Sequence, residues 1–313
     1  MKYVNTHGLS LSAFSLGTVQ LGLSYGLGAD SAKPSEEKAH QILDTAMELG
    51  VNTLDTASAY GDSEEIIGRW MAKRKAEGKS LPWVVTKLGK LAHGSYDALR
   101  DDMFRRTEIS MQRLATDSID CMMLHSFEDY LCDRDNMRKV FEELKAQKMI
   151  RYCAASAYSH HDYGEIADTG FDATQIPMNI FDWLQIENGG MEKLEKSGMM
   201  VFVRSVFLQG MVFHTPQTLD PRLDFCIPYL TKFRNLCEKY GLEPAVLALS
   251  FVMSVPGVTT TVLGCDNADQ VRANCDLFSK LVTLTPAQME EIHDAFRDID
   301  RRMVNPSVWF PKE

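Results

Sequence analysis

Four side chains at the ends of three apolar runs carry the chemistry this sequence offers. Asp55 closes "VNTLD", Tyr60 follows five positions later, Lys87 closes "PWVVTK", and His125 closes "DSIDCMMLH". A phenol titrates near about 10 and is a poor acid at neutral pH unless a buried cation favours its phenolate. A buried lysine, in turn, needs a carboxylate to stay charged. Asp55 can hold Lys87, Lys87 can tune Tyr60, and His125 can aim a donor at the same oxygen, which makes a proton-transfer set. Singly, each has an ordinary reading: an aspartate at a strand end caps, a lysine is a surface charge, a histidine sits in a loop, a tyrosine packs. Only one scaffold property, strand ends converging on a shared mouth, turns four ordinary residues into a site.

The spacing of apolar runs supplies such a scaffold. Eight β-rich runs recur, at 13–18, 51–57, 82–87, 117–125, 150–156, 172–178, 199–205 and 259–264. Amphipathic helical patterns lie between them, including "PSEEKAHQILDTAMELG", with Gly50 as its stop, "YDALRDDMFRRTEISMQRLA" and "RDNMRKVFEELKAQKM". Strands alternating with helices imply a parallel sheet. Eight such units in one chain imply a closed (β/α)8 barrel, a TIM barrel, as a single domain over residues 1–313. A doubly wound sheet competes, but "GLSYGLG" at 22–28 lacks the GxGxxG order and reads as a loop. Two short runs flanking His7-Gly8 predict an N-terminal hairpin. The connection from Ser205 to Thr259 is long, and "VFLQGMVFHTPQTLDPRLD" within it is expected to be a cofactor or substrate loop ahead of the helices "FCIPYLTKFRNLCEKYG" and "EPAVLALSFVMS". Gly61 permits the turn that brings Tyr60 back over the mouth, and Glu64 with Glu65 favours the start of the next helix.

Composition narrows the class. In 313 residues, 45% are hydrophobic and 24% charged, and the formal net charge is -10. That balance argues against general binding to nucleic acid or anionic membrane, which rests on clustered Lys and Arg. The opening stretch has no uninterrupted apolar region, and no segment approaches the ~18 apolar residues of a membrane span, so a cytoplasmic protein is expected. Seven cysteines without a CxxC pair suit reduced thiols. His160, His161 and Asp162 are consecutive, and neighbouring side chains diverge, so a solvated loop is expected there and no metal site.

The run "NTLDTASAYGDSEEIIG", the lysine of "VTK" and the histidine of "MLH" together resemble the aldo-keto reductase family, bacterial type, with a match from "LGTVQLG" to "NADQVRANC". The resemblance implies an NAD(P)-dependent oxidoreductase that interconverts aldehydes or ketones and alcohols. Carried over, Tyr60 is the general acid, Lys87 lowers its pKa, Asp55 anchors Lys87, and His125 orients the carbonyl. It implies cofactor contacts at Gly17, Thr18, Asp55, Ser156 and Gln175, with Arg204 where many members stack an aromatic ring on the nicotinamide. Ser205, Phe207, Gln209 and Gly210 continue the pyrophosphate loop, and Gly264, Gln270 and Asn274 face the adenosine. Two departures stand out: Ala157 replaces the family's asparagine, and the basic residues for a 2'-phosphate fall on Gly264 and Gln270, with Asp266 adjacent. NADP is the expected cofactor, with NAD accepted as the alternative and Arg272 as a substitute cation. Gln20, Tyr25, Trp183, Phe207, Gln185 and Trp309 are candidates for a pocket leaning toward a hydroxy-aldehyde or sugar. A monomer or small homo-oligomer is expected. Two alternatives stay open: a cofactor-binding regulatory or scaffold subunit with little turnover, and an unrelated barrel using Lys87 as a Schiff base.

Overall fold

Strand residues alternate their side chains between two faces, so a barrel strand must carry a usable inward set at every second position. The structure, a computed structural model, describes residues 1–24, 33–92 and 94–310. Strands β1 (Tyr3–Thr6) and β2 (Leu9–Ser12) form the expected antiparallel hairpin, turned by His7 and Gly8, both at positive φ. The eight barrel strands follow: β3 (Phe14–Gly17), β4 (Thr53–Asp55), β5 (Trp83–Leu88), β6 (Ile119–Leu124), β7 (Ile150–Ser156), β8 (Ala173–Pro177), β9 (Met200–Arg204) and β10 (Val258–Gly264). All pair in parallel, and β10 closes on β3. Each falls within a run predicted from the sequence or overlaps it.

Inward alternation builds a floor and a mouth from the same strands. Trp83 and Val85, Cys121 and Met123, Ala154, Ala173, and Met200 with Phe202 form one apolar cluster inside the barrel. Continuing each series by two arrives at Lys87, His125, Ser156, Gln175 and Arg204. Leu11 of the hairpin joins the cluster, and Thr260 Oγ1 donates to Ser12 O at 2.8 Å, so β1 and β2 lie across the floor. Registers keep the upper ends level: Gly264 pairs with Gly17, Gly17 with Asp55, Ser156 with Gln175, and Pro177 with Arg204.

Outside the strands, helices such as Glu36–Glu48, Tyr96–Arg113, Arg134–Ala146, Ile227–Tyr240 and Pro244–Ser254 form where the amphipathic patterns predict them. Their apolar faces join a second, larger cluster against the barrel wall. The stretch expected to be loop after β9 departs from that reading. It contains two short 3-10 turns, Leu208–Phe213 and Pro221–Cys226, because buried Leu208, Met211, Val212 and Leu223 pin it to the barrel. Of "GLSYGLG", Gly22 ends the short helix Val19–Gly22, whereas Tyr25 and the glycines after it lie outside the described residues. Among the described residues, no helix is long and apolar enough to cross a membrane. All seven cysteines are free, five of them buried.

Candidate active site

At the mouth, Lys87 and Asp55 form a buried ion pair, with side chains 1% and 4% exposed. Lys87 Nζ donates to Asp55 Oδ1 at 2.7 Å and to Thr56 O at 3.0 Å. Burial pulls the ammonium pKa down, but the charge of Asp55 and then Tyr60 outweigh it, leaving Lys87 above its ordinary value. The second carboxylate oxygen is also occupied: Gln175 Nε2 donates to Asp55 Oδ2 at 2.7 Å, from β8 on the far side of the barrel. Asp55 is thus satisfied on both oxygens, the condition under which a buried carboxylate is tolerated.

Tyr60 stands over this pair. Its ring centroid lies 5.1 Å from Lys87 Nζ and 5.8 Å from the His125 ring, edge to face. Burial, then the charge of Lys87, brings His125 down to about 4, so at neutral pH it is an uncharged imidazole. The arrangement joins a phenol, a charged ammonium and a neutral imidazole, which can deliver a proton to an oxygen placed between Tyr60 and His125.

The Tyr60 turn is held by backbone crowding and by the helix that follows it. Tyr60 N–H donates to Ala57 O and Ser63 N–H to Tyr60 O, two successive turns, with Gly61 at φ +57. A Cβ on Gly61 would meet Gly22 O at 2.3 Å, and one on Gly22 would meet Tyr60 O at 1.7 Å. Ser63 opens the helix Ser63–Ala76, and its hydroxyl donates to Thr18 O at 3.0 Å while accepting from Thr56 Oγ1 at 3.1 Å. Glu64 does more than favour the helix start. It is buried, accepts from Thr86 Oγ1 at 2.6 Å, and pairs with Arg113 at 3.4 Å. Gly22→Ala is therefore expected to displace the 57–63 turn and to destabilise the fold by about 1–3 kcal/mol through overpacking. Denaturant melts, with amide exchange across that turn, check it; an unchanged midpoint and unchanged exchange would contradict the close approach.

A cleft of about 570 Å3 opens beside these residues. Its lining includes Asp55 and Tyr60 and most of the expected cofactor set: Gly17, Thr18, Gln175, Arg204, Ser205, Phe207, Gln209, Gly210, Gly264, Gln270 and Asn274. Ser156 ends β7, buried, and is not among the lining residues. Sequence reasoning missed the apolar wall of Val19, Val262, Leu263, Phe213 and Ala273, which the end of β10, two helices and a 3-10 turn bring together from distant parts of the chain. The loop floor is strained. Ser205, Leu208 and Gln209 have φ of 63, 45 and 51, followed by Gly210 at 89, and non-glycine residues in that region cost of order 1–3 kcal/mol each. At the opposite wall, Asp266 N–H donates to Gln270 Oε1 at 2.7 Å and Gln270 Nε2 to Asp266 Oδ2 at 3.2 Å, just before the helix Ala268–Ser279. Arg272 is exposed and does not line the cleft.

Several proposed pocket residues have other employment. Trp183 is buried against Phe251 and His293, Trp309 donates to Arg302 O, and Gln185 Nε2 donates to Ser159 O and His161 O. Gln20 does reach the cleft, lies across Gly264, and leaves its Oε1 buried without a hydrogen bond. His160 is exposed, as expected of a solvated loop, but His161 is buried. Its neighbour is Glu128 rather than Asp162: His161 Nε2 lies 3.0 Å from Glu128 Oε1. His161 Nδ1 accepts Tyr158 N–H at 2.9 Å, so the ring proton belongs on Nε2, facing the carboxylate. This is a hydrogen-bonded brace in which the ring's lone pair is already used.

The cleft fits an extended, hydrogen-bonding dinucleotide. Its volume is in the range of small-molecule and cofactor pockets, about 300–1,000 Å3. Its wall is rich in side-chain amides, and the orphaned Gln20 Oε1 points to a ligand donor.

Comparison with known proteins agrees with this fold. The model of the aldo/keto reductase family matches residues 13–297. An uncharacterized oxidoreductase of Bacillus subtilis, YqkF, is 28% identical over 284 residues, covering 83% of this chain and 88% of that protein. Among solved structures, the holo form of aldo-keto reductase AKR11C1 from Bacillus halodurans superposes with a TM-score of 0.74 at 24% identity, covering 94% of this chain and 96% of that one. The glycerol dehydrogenase AKR11B4 from Gluconobacter oxydans gives 0.73 at 22% identity, covering 100% and 98%.

Proposed function

This chain belongs to the aldo/keto reductase family, and on that premise we propose that it reduces aldehydes or ketones to alcohols with a nicotinamide cofactor, Tyr60 giving the proton. The observation that carries the reading is the stack of Asp55, Lys87 and Tyr60, of which Asp55 and Tyr60 line the cleft, with uncharged His125 against the Tyr60 ring. A reduced nicotinamide dinucleotide supplies hydride when bound. Lys87 favours the phenolate left after proton transfer, and Asp55 keeps Lys87 charged in a buried position. His125, neutral, donates to the substrate oxygen and sets its direction toward Tyr60.

Gln175 and Arg204 would hold the nicotinamide end, with Ser156 buried behind the lining, Gly17, Thr18, Ser205, Phe207, Gln209 and Gly210 the pyrophosphate, and Gly264, Gln270 and Asn274 the adenosine. Gln175 has one amide hydrogen on Asp55 and retains a second hydrogen and its carbonyl for a carboxamide. The polar lining beside Gln20 favours a hydroxylated carbonyl compound.

Discrimination between cofactors is expected to be modest, with NADH working within about two orders of magnitude of NADPH, because each charge-assisted contact to a 2'-phosphate contributes roughly 1.5–3 kcal/mol. The adenosine wall offers Gly264, Gln270 and Asn274 instead, and Asp266 stands beside Gln270. Steady-state kcat/KM with both cofactors on an aldehyde and sugar panel tests function and preference together. Tight cofactor binding without turnover on any carbonyl would sink the reductase reading. A strong NADPH preference surviving Arg272→Ala would show another cation at the 2' position.

A further inference from the structure

Arg204 is the one lysine or arginine among the described residues lining the cleft, and no described carboxylate pairs with it. It is half-buried at the end of β9 and spends one donor on Ala157 O, at 3.1 Å. One face of its guanidinium lies 4.7 Å from the Tyr158 ring. A guanidinium has five N–H donors in a fixed fork. Most of them remain for a ligand, and a half-buried cation without a counter-ion favours an anionic one.

The support beneath Arg204 is itself braced. Tyr158 stacks on His160 with ring centroids 5.9 Å apart and planes 12° from parallel. Tyr158 N–H donates to buried His161, which reaches Glu128. The loop from 157 to 161 therefore presents the Ala157 carbonyl and the Tyr158 face as a fixed cradle, and Arg204 is pre-organised by it. Ala157 matters here for another reason: where the resembled family places an asparagine, this chain has no side-chain amide, and the carbonyl goes to Arg204 instead.

Two anions could meet this group, a carboxylate on the substrate or a phosphate of the cofactor. Position favours the first. Arg204 continues the inward series of β9 two residues beyond Phe202 and lines the cleft together with Asp55 and Tyr60, so it faces the reacting end of the cleft. We propose that Arg204, cradled by Ala157 O and Tyr158, is a specificity-determining residue that reads a carboxylate, making the preferred substrate a carbonyl compound that also carries a carboxylate. This rests on the reductase reading and narrows its substrate class.

The test compares matched pairs: 4-oxobutanoate against its methyl ester, and glucuronate against glucose, each with saturating cofactor. Wild type is expected to prefer the charged partner in kcat/KM by roughly tenfold to a hundredfold, the range of one charge-assisted contact. Arg204→Met should bring that ratio close to one, and Arg204→Lys should keep part of it. Tyr158→Leu, at an exposed position, should lower the ratio by loosening the guanidinium. The ratio is the readout because losses common to both substrates cancel.

Equal rates on both partners in wild type would overturn the proposal while leaving the reductase reading intact. A ratio unmoved in Arg204→Met would also overturn it. If that variant weakens NADPH binding, measured by fluorescence, with the ratio unchanged, Arg204 serves the cofactor and reads no substrate carboxylate, which overturns the proposal. If wild type reduces none of these compounds, the aldehyde and sugar panel decides the reductase reading, and calorimetry with succinate decides the anion site: equal affinity for wild type and Arg204→Met would end it.

Discussion

Tyr60→Phe is expected to cut carbonyl reduction by a factor on the order of 100 or more while leaving cofactor affinity nearly unchanged. The substitution removes one oxygen and keeps the ring that contacts His125 and Lys87. The 57–63 turn is held by backbone bonds, Ser63 and the Gly22 contact, none of which uses the phenol. A lost proton donor should appear in kcat, with binding of NADPH by fluorescence titration as the control. Equal activity in the variant would remove Tyr60 from the mechanism.

Lys87→Met should have an effect of similar size on turnover, plus two signatures that a merely spatial role would lack. Without its cationic neighbour the phenol becomes harder to ionise, so the pH profile should move upward as its height falls. A lower but unmoved profile would assign Lys87 to structure alone. The variant also strands the Asp55 charge in a buried site with Gln175 as its remaining side-chain donor among those described, a loss of about 3–5 kcal/mol. The sign with pH follows from the raised Lys87 value. Its contribution is fully present below the unfolded value of 10.5 and is lost as pH rises through the higher folded one, so the stability gap between wild type and variant should close only in strong alkali. Restoring stability with Lys87→Met/Asp55→Asn, without restoring activity, would separate the two effects.

Much of this site was legible because the inward alternation of each strand is written locally. "WVVTK" puts Trp83, Val85 and Lys87 on one face, and "CMMLH" does the same for Cys121, Met123 and His125. Once a parallel barrel is inferred, the last member of each series must face the mouth, and the structure places it there. What escaped depends on closure of the ring. The bond from Gln175 to Asp55 joins residues 120 apart in sequence, and no local pattern announces it. His161 reads as loop because its neighbours are polar, yet Glu128 and Tyr158, from two different connections, bury it. Glu64 reads as a helix-start charge because the Thr86 hydroxyl and Arg113 that receive it come from β5 and the helix after it. The strained backbone at Ser205, Leu208 and Gln209 is invisible in composition, since none of the three is a residue that favours such angles.

The hairpin across the floor has a consequence for traffic. With Leu11 seated among Trp83, Met123, Met200 and Phe202, the lower end of the barrel is sealed with hydrocarbon, and the reacting groups sit at the upper end only. On the proposed reading, cofactor and substrate would therefore approach from the same upper face. Whichever lies deeper would be first in and last out, an order set by the sealed floor before any difference in affinity is considered.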